Sequence, residues 1–217
     1  MKSKHLALPK KKYEYGYDLA YELASKHLAG ITDIAEQCWK SSTQYQPPGE
    51  IMVTYLNQNC LIHSPDGQVT LASGEDTLPV KEKLLVLHYF LQAKGTTATG
   101  ELVTYKELKE GVNYFPIFYE RAIKPLVNFF GNQPQLLPEI AASLGGEKAS
   151  YGDYAASFNA FPRVPVTFVL WKGDEEFPPE GSILFDSSVS DYLTNDDIHA
   201  LCETIAWKLV RTLKSGR

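Results

Sequence analysis

The chain has 217 residues, of which 44% are hydrophobic and 22% charged, a composition typical of a folded globular protein rather than a disordered one. Its formal net charge of −5 provides no basic field for nucleic acid, so we expect no nucleic-acid partner. No apolar run approaches the roughly 20 residues that span a bilayer, and the first residues lack the apolar stretch of a secretory signal, so we expect a cytoplasmic protein with no membrane partner.

The cysteines and histidines show no metal-binding or disulfide pattern. Cys38, Cys60 and Cys202 are odd in number and widely spaced, and none belongs to a C-x-x-C pair, so we expect reduced and packed thiols. The histidines show no ligand spacing either. His88 lies in a strongly apolar segment and is interpreted as a core histidine whose hydrogen bonds are satisfied.

The first half begins with a basic N-terminal tail, residues 1–16, followed by predicted helices over residues 17–28 and 32–39. Pro47, Pro48 and Gly49 then break the chain. Two β-rich runs around the turn sequence SPDG predict a hairpin, and a helix with leucines on one face follows and ends before Gly95.

A helical insert is predicted over residues 100–133. Thr104 and Glu107 form the spacing of a capping box, and an aromatic helix follows over residues 113–131. Pro125 falls inside this helix and is expected to kink or split it, because proline removes a backbone donor.

The second half repeats the order of elements found in the first. A short helix, a proline-bearing break, two apolar runs around PPEG and a helix capped by Thr194 or Asn195 follow one another. The tetrad VTYL, which begins at Val53, matches VTFV, which begins at Val166. The two turn glycines, Gly67 and Gly181, are nearly as far apart in the sequence as these two tetrads are. We interpret this as an internal duplication, with pseudo-repeat 1 at about 31–94 and pseudo-repeat 2 at about 136–213; the alternative is a chance agreement of two hairpin–helix segments.

The predicted fold class is therefore α+β, in a single domain over residues 17–217. Because a lone hairpin is marginally stable in water, two copies of the helix–hairpin–helix unit are expected to form one largely antiparallel sheet covered by helices. The helical insert then lies between the copies.

The acidic stretch GDEEF, which contains Asp174, Glu175 and Glu176, is the first candidate site. In the proposed repeat these acids fall opposite Cys60, Leu61 and Ile62, so the hairpin does not require them for folding. Clustered carboxylates supply the oxygen ligands that Mg²⁺ or Mn²⁺ takes. The alternative is a solvated loop, whose charges keep the end of the sheet soluble.

Arg121, within the aromatic helix and next to Tyr119, is the second candidate. A guanidinium among aromatic rings can clamp a carboxylate or phosphate, or stack on a ring. The alternative is a structural ion pair, for example to the acidic stretch.

The sequence also resembles a known family. FPRVPVTFVLWKGDEEFPPEGSILFDSSVSDYLTNDD, with YERAIKPLVNFFG and LLVLHYFLQAKG before it, is similar to family thirty-seven eighty-six of the domains of unknown function. The resemblance implies a prokaryotic family common in anaerobes and sometimes fused or adjacent to iron–sulfur domains. It implies no catalytic residues, and the chain lacks the clustered cysteines of a cluster ligand set.

Three functions are therefore predicted. The first is a non-catalytic cytoplasmic module that binds a small ligand, cofactor or partner protein between the aromatic helix and the second hairpin. Its ligand-binding residues are Arg121, Tyr119, Asp174, Glu175 and Glu176.

The second function is a divalent-metal-dependent hydrolytic enzyme, with Mg²⁺ or Mn²⁺ held by Asp174, Glu176 and Asp186. The third is a structural subunit of a redox-linked complex. The sequence leaves the ligand and the oligomeric state open.

Overall fold

The computed structural model of the chain describes residues 10–74 and 77–216. Residues 1–9 of the predicted basic tail lie outside the described residues. The rest of that segment is helical, because the first helix begins at Lys10.

The protein is built from two antiparallel sheets and a set of helices, which confirms the α+β class. The first sheet has the order β1-β2-β3-β4, with β1 at Gln44–Gln46, β2 at Glu50–Tyr55, β3 at Gln58–His63 and β4 at Gln68–Leu71. The second sheet has the order β5-β9-β8-β7-β6, with β5 at Leu102–Thr104, β6 at Glu147–Ala149, β7 at Tyr154–Phe161, β8 at Val164–Trp171 and β9 at Glu180–Asp186. Every neighbouring pair of strands is antiparallel.

The burial of the strands follows their sequence pattern. In β2 the alternating residues Ile51, Val53 and Tyr55 are buried, as expected for a strand with one face on the core. β8 lies at the centre of the second sheet, and consecutive residues from Val166 to Leu170 are buried. Both faces of this strand are therefore covered.

The helices surround the sheets. They are α1 at Lys10–Leu28, α2 at Ile34–Ser41, α3 at Val80–Gln92, α4 at Gly111–Phe118, α5 at Lys124–Phe130, α6 at Leu136–Ser143 and α7 at Asn195–Ser215. Short 3-10 helices occupy Tyr105–Glu107 and Ser187–Asp191. Across residues 10–74 and 77–216, no helix has both the length and the apolar character needed to cross a membrane.

The predicted aromatic helix is split, as expected from Pro125. α4 and α5 are joined by a π-helical turn at Tyr119–Ile123. Pro125 has no N–H to donate to the carbonyl one turn before it, and the N–H of Lys124 donates to the carbonyl of Tyr119, five residues back. The wider turn places Arg121 between the two helices.

The duplicated unit is not confirmed. The two hairpins lie in separate sheets rather than in one shared sheet. The two intervals that the proposed repeat equates also differ in structure. From Val53 to Gly67 the chain ends β2, turns at Leu56 and Asn57, whose φ angles are 45° and 62°, and forms β3. Between Val166 and Gly181 the chain completes β8, crosses a loop and enters β9.

The two sheets nevertheless share their buried surroundings. The N–H of Leu56 donates to the carbonyl of Ala160 in β7 at 3.0 Å. Buried residues of both sheets, of α3 and of α7 belong to one hydrophobic cluster.

Candidate functional site

A cavity of about 580 Å³, here called the helical cavity, lies between helices rather than beside a sheet. Its walls come from α1, α3, α4, the π-helical turn and the start of α7. This volume falls within the range of about 300–1,000 Å³ that small-molecule sites occupy. The helical cavity is therefore large enough for a small organic ligand.

The spacing of the lining residues follows the helical repeat. On α3, Lys81, Leu84 and His88 are three and four residues apart and face the cavity together. The same spacing relates Tyr114 to Ile117, and Arg121 follows one turn later. Apolar and aromatic side chains thus form most of the wall, with charged groups at defined points.

Asp197 joins two of the helices that form the wall. Its Oδ1 lies 2.7 Å from Nδ1 of His88, and Gln92 Nε2 donates to its Oδ2 at 3.2 Å. Asp197 is the third residue of α7, where it also accepts from the N–H and the hydroxyl of Thr194 at 3.1 and 2.6 Å. Thr194 is therefore the N-cap of α7 and forms a capping box with Asp197. The sequence analysis named Thr194 or Asn195 as the cap but did not predict the capping box.

The environment of Asp197 keeps its carboxylate ionised. Burial opposes ionisation, but the hydrogen bond and charge of His88 and the hydrogen bonds of Thr194 outweigh it, so the pKa of Asp197 lies below its usual range. Because a carboxylate only accepts hydrogen bonds, Nδ1 of His88 is the donor. This hydrogen bond uses Nδ1 and leaves Nε2, the other ring nitrogen, for a different partner.

His199 lies on the same wall and is held neutral. Burial lowers its pKa, and the positive charges of Arg121 and Lys81 lower it further, although the carboxylate of Glu203 opposes them. The ring meets Phe118 edge-on, with centroids 5.8 Å apart. Nε2 of His199 is buried without a hydrogen-bond partner in the described part of the chain.

Lys81 is the second cation of the helical cavity, and a carboxylate already binds it. Its Nζ lies 2.8 Å from Oε2 of Glu203 on α7, and both side chains are mostly buried. The ion pair links α3 to α7 on the side of His199. Because the two charges offset each other, this ion pair adds little net charge to the helical cavity.

The predicted acidic site lies elsewhere. We call residues 172–179 the acidic loop; its acids Asp174, Glu175 and Glu176 are exposed and line a separate cavity of about 380 Å³. The carboxylate of Asp174 accepts from the N–H groups of Glu176 and Phe177 at 2.9 and 2.7 Å. These backbone hydrogen bonds, that of Phe177 first, lower the pKa of Asp174. Asp174 thus closes its own turn.

Asp186 does not join the acidic loop. It is buried, and its carboxylate accepts from the N–H groups of Thr99, Gly100 and Ser188 at 3.1, 2.8 and 3.0 Å. Burial opposes ionisation, but these hydrogen bonds and that of the Ser188 hydroxyl hold the pKa of Asp186 well below its usual range. Asp186 therefore fixes the loop before β5 to the end of β9.

The three predicted metal ligands lie in two different places. Asp186 points its oxygens to backbone donors, whereas Asp174 and Glu176 lie in the exposed loop. Within residues 10–74 and 77–216, no group of three or more histidine, cysteine, aspartate or glutamate side chains is arranged to hold a metal ion.

Of the five predicted ligand-binding residues, Arg121 lines the helical cavity. Asp174, Glu175 and Glu176 line the other cavity, and Tyr119 lines neither. The Tyr119 ring is half-exposed and packs against Phe115, with centroids 6.1 Å apart. The structure therefore does not join the arginine and the acids in one groove.

The model of the family described as "Domain of unknown function (DUF3786)" matches residues 33–207. The chain belongs to this family. The matched range contains His88, Arg121, Asp197 and His199, whereas the part of α1 that lines the helical cavity precedes it. No curated protein and no solved structure matches the chain.

The sequence analysis missed His88, Asp197 and His199 as parts of one site. One nitrogen of His88 has the partner that the sequence analysis expected, and that partner lies 109 residues away. The signal in the sequence was the position of Asp197 three residues after the cap Thr194. Capping uses one of its carboxylate oxygens, so the other oxygen needs a donor from elsewhere in the chain. A single sequence does not indicate which donor that is.

Proposed function

We propose that this protein binds a small organic carboxylate in the helical cavity. The observation that carries the proposal is the position of Arg121 in the wall of a largely apolar cavity of about 580 Å³. The planar fork of a guanidinium matches a carboxylate with two parallel hydrogen bonds. Tyr114, Ile117 and Leu84 offer apolar surface to the rest of the ligand.

Arg121 brings a permanent positive charge to the wall of the helical cavity, close enough to His199 to lower the pKa of that ring. His199 is held neutral by burial, so it adds no charge of its own to the wall. We therefore assign the ligand carboxylate to Arg121.

Three finer predictions remain proposals. Composition supports a cytoplasmic location, and the recurring order of elements supports an internal duplication within one domain over residues 17–217. The family resemblance supports a place beside redox proteins. A role in ligand binding is compatible with all three.

The proposal is tested by calorimetric titration with matched sets of ligands. Aliphatic and aromatic monocarboxylates are compared with the amines and alcohols of the same carbon skeletons, and we expect the carboxylates to bind. Arg121→Gln should weaken binding about tenfold or more, because a hydrogen bond to a charged group contributes about 1.5–3 kcal/mol.

Lys124→Gln is the matched control. Lys124 carries the same charge three residues later, pairs with Glu120 at 2.8 Å on the outside and does not line the helical cavity. Its variant should bind as the wild type does. Equal losses in both variants, or no preference for carboxylates over amines and alcohols, would count against the proposal.

A further inference from the structure

Binding of a carboxylate by Arg121 leaves one feature of the helical cavity unused, the pair His88–Asp197. Nδ1 of His88 donates to Asp197 over 2.7 Å, which fixes the ring and its tautomer. When the ring is neutral, Nε2 carries the lone pair; the recorded hydrogen bond of His88 uses Nδ1, and 24% of the side chain is accessible to solvent. His88 lines the helical cavity, so this second nitrogen is the one left for a ligand there.

A structural role accounts for only one nitrogen of His88. Thr194 and Gln92 donate to Oδ2 of Asp197, and Nδ1 of His88 supplies Oδ1. That role leaves Nε2, which the partly exposed side chain presents to solvent or to a ligand.

We propose that His88 is a catalytic base which removes a proton from the carboxylate ligand, and that Asp197 is its positioning residue. This inference rests on the proposed function. The ligand class is a 2-oxo acid, because its carboxylate suits Arg121 and its carbonyl group acidifies the adjacent C–H bond. The proton to be removed is therefore on the carbon next to the carbonyl.

The step balances without a further reactant. The lone pair of His88 Nε2 takes the proton, the C–H electron pair becomes the carbon–carbon double bond of an enolate, and the carbonyl π pair moves to oxygen. The imidazolium is stabilised by the carboxylate of Asp197. The reverse step returns a proton from Nε2 to the same carbon, and in heavy water it returns a deuteron.

The lining of the helical cavity favours proton transfer over covalent catalysis. Among the described residues that line it there is no serine or cysteine. The hydroxyl of Thr194 donates to Asp197 at 2.6 Å and is not directed at a ligand. A base without a neighbouring nucleophile is the arrangement expected for enolisation rather than acyl transfer.

The test has a binding arm and a chemical arm. Pyruvate, 2-oxobutyrate and phenylpyruvate are titrated by calorimetry, and the proton signal of the carbon next to the carbonyl is followed by NMR in heavy water. The wild type should accelerate the loss of this signal. His88→Asn retains a donor where Nδ1 stood but has no basic nitrogen, so it should bind the acid with the same affinity and exchange its proton about a hundredfold more slowly.

His63→Asn is the matched control, since His63 lies on β3, where it is bonded to Thr70 at 3.0 Å, and does not line the helical cavity. Its variant should match the wild type in both arms. Asp197→Asn should lower the exchange rate more than the affinity, as expected of a positioning residue rather than a ligand contact. An equal loss in both would assign Asp197 to binding.

The outcomes separate the two proposals. If an acid binds through Arg121 and its exchange is the same in the wild type and in His88→Asn, the proton-transfer role is refuted while ligand binding stands. If none of the acids binds, both are refuted for this class.

A second measurement covers the case in which His88→Asn does not fold. Diethyl pyrocarbonate should acylate Nε2 of His88 in the folded wild type and abolish exchange, with protection by a bound acid. Full exchange by protein that mass spectrometry shows to be labelled at His88 would refute the role of this nitrogen.

Discussion

The helical cavity and the acidic loop both contain carboxylates, but their surroundings differ. Asp197 is buried at the wall of the helical cavity and is held by side chains from α3 and by the cap of α7. Asp174 is exposed in the acidic loop, and its hydrogen bonds come from the backbone of Glu176 and Phe177. Asp197 is therefore held by residues that are distant in the sequence, whereas Asp174 is held by the residues that follow it in the same turn.

This difference shows what a cluster of charges in a sequence reports. Neighbouring acids are conspicuous in one line of text, yet a loop can satisfy them locally and leave them in water. A built site brings single residues together from distant segments, as His88 and Asp197 are brought together across 109 positions. Tertiary contacts therefore distinguish a buried carboxylate held by distant residues from a solvated one.

The largest expected effect is on stability. Asp197→Ala leaves His88 Nδ1 and the first turn of α7 without their acceptor, so we expect the free energy of unfolding to fall by about 3 kcal/mol. Urea denaturation followed by circular dichroism measures this as a shift of the midpoint. Asp174→Ala, the matched change in the acidic loop, should leave the midpoint close to that of the wild type; equal shifts would contradict the comparison.

The contribution of Asp197 to stability should depend on pH more strongly than that of Asp174. The pKa of Asp197 is lower in the folded protein than its unfolded value of about 3.9, so its carboxylate contributes stability above that pH and loses it as the pH falls towards the folded pKa. Asp197→Asn lacks this contribution. The difference in unfolding free energy between wild type and variant should therefore shrink below about pH 4.

Asp174 provides the comparison for that measurement. Its pKa is lowered too, by hydrogen bonds from the N–H groups of Phe177 and Glu176, but the group is exposed. Solvent screening weakens such contributions. Urea titrations over a series of acidic pH values should show a smaller change for Asp174→Asn, and a steeper change than that of Asp197→Asn would reverse the assignment.

The parts of the structure that sequence could predict are those fixed by local chemistry. The α+β class, the split at Pro125 and the cap at Thr194 follow from periodicity and from the hydrogen bonds that each residue type can make. The turn between β2 and β3 was missed because its positive φ angles fall on Leu56 and Asn57 rather than on a glycine. The separation into two sheets depends on pairing between distant segments, which a single sequence does not specify. The helical cavity depends on helix packing, which a single sequence does not specify.

The smallest expected effect concerns metal. Because Asp186 is bonded to Thr99, Gly100 and Ser188, the acids of the acidic loop do not gain it as a third ligand. We expect millimolar Mg²⁺ or Mn²⁺ to leave the melting temperature unchanged, since an ion that binds the native state tightly would raise it by mass action. Differential scanning fluorimetry measures this, with Glu176→Gln as the matched variant. A rise with Mn²⁺ that Glu176→Gln abolishes would show that the acidic loop holds a metal despite its exposure. The acidic loop and the helical cavity would then both be binding sites, one for a cation and the other for an organic acid.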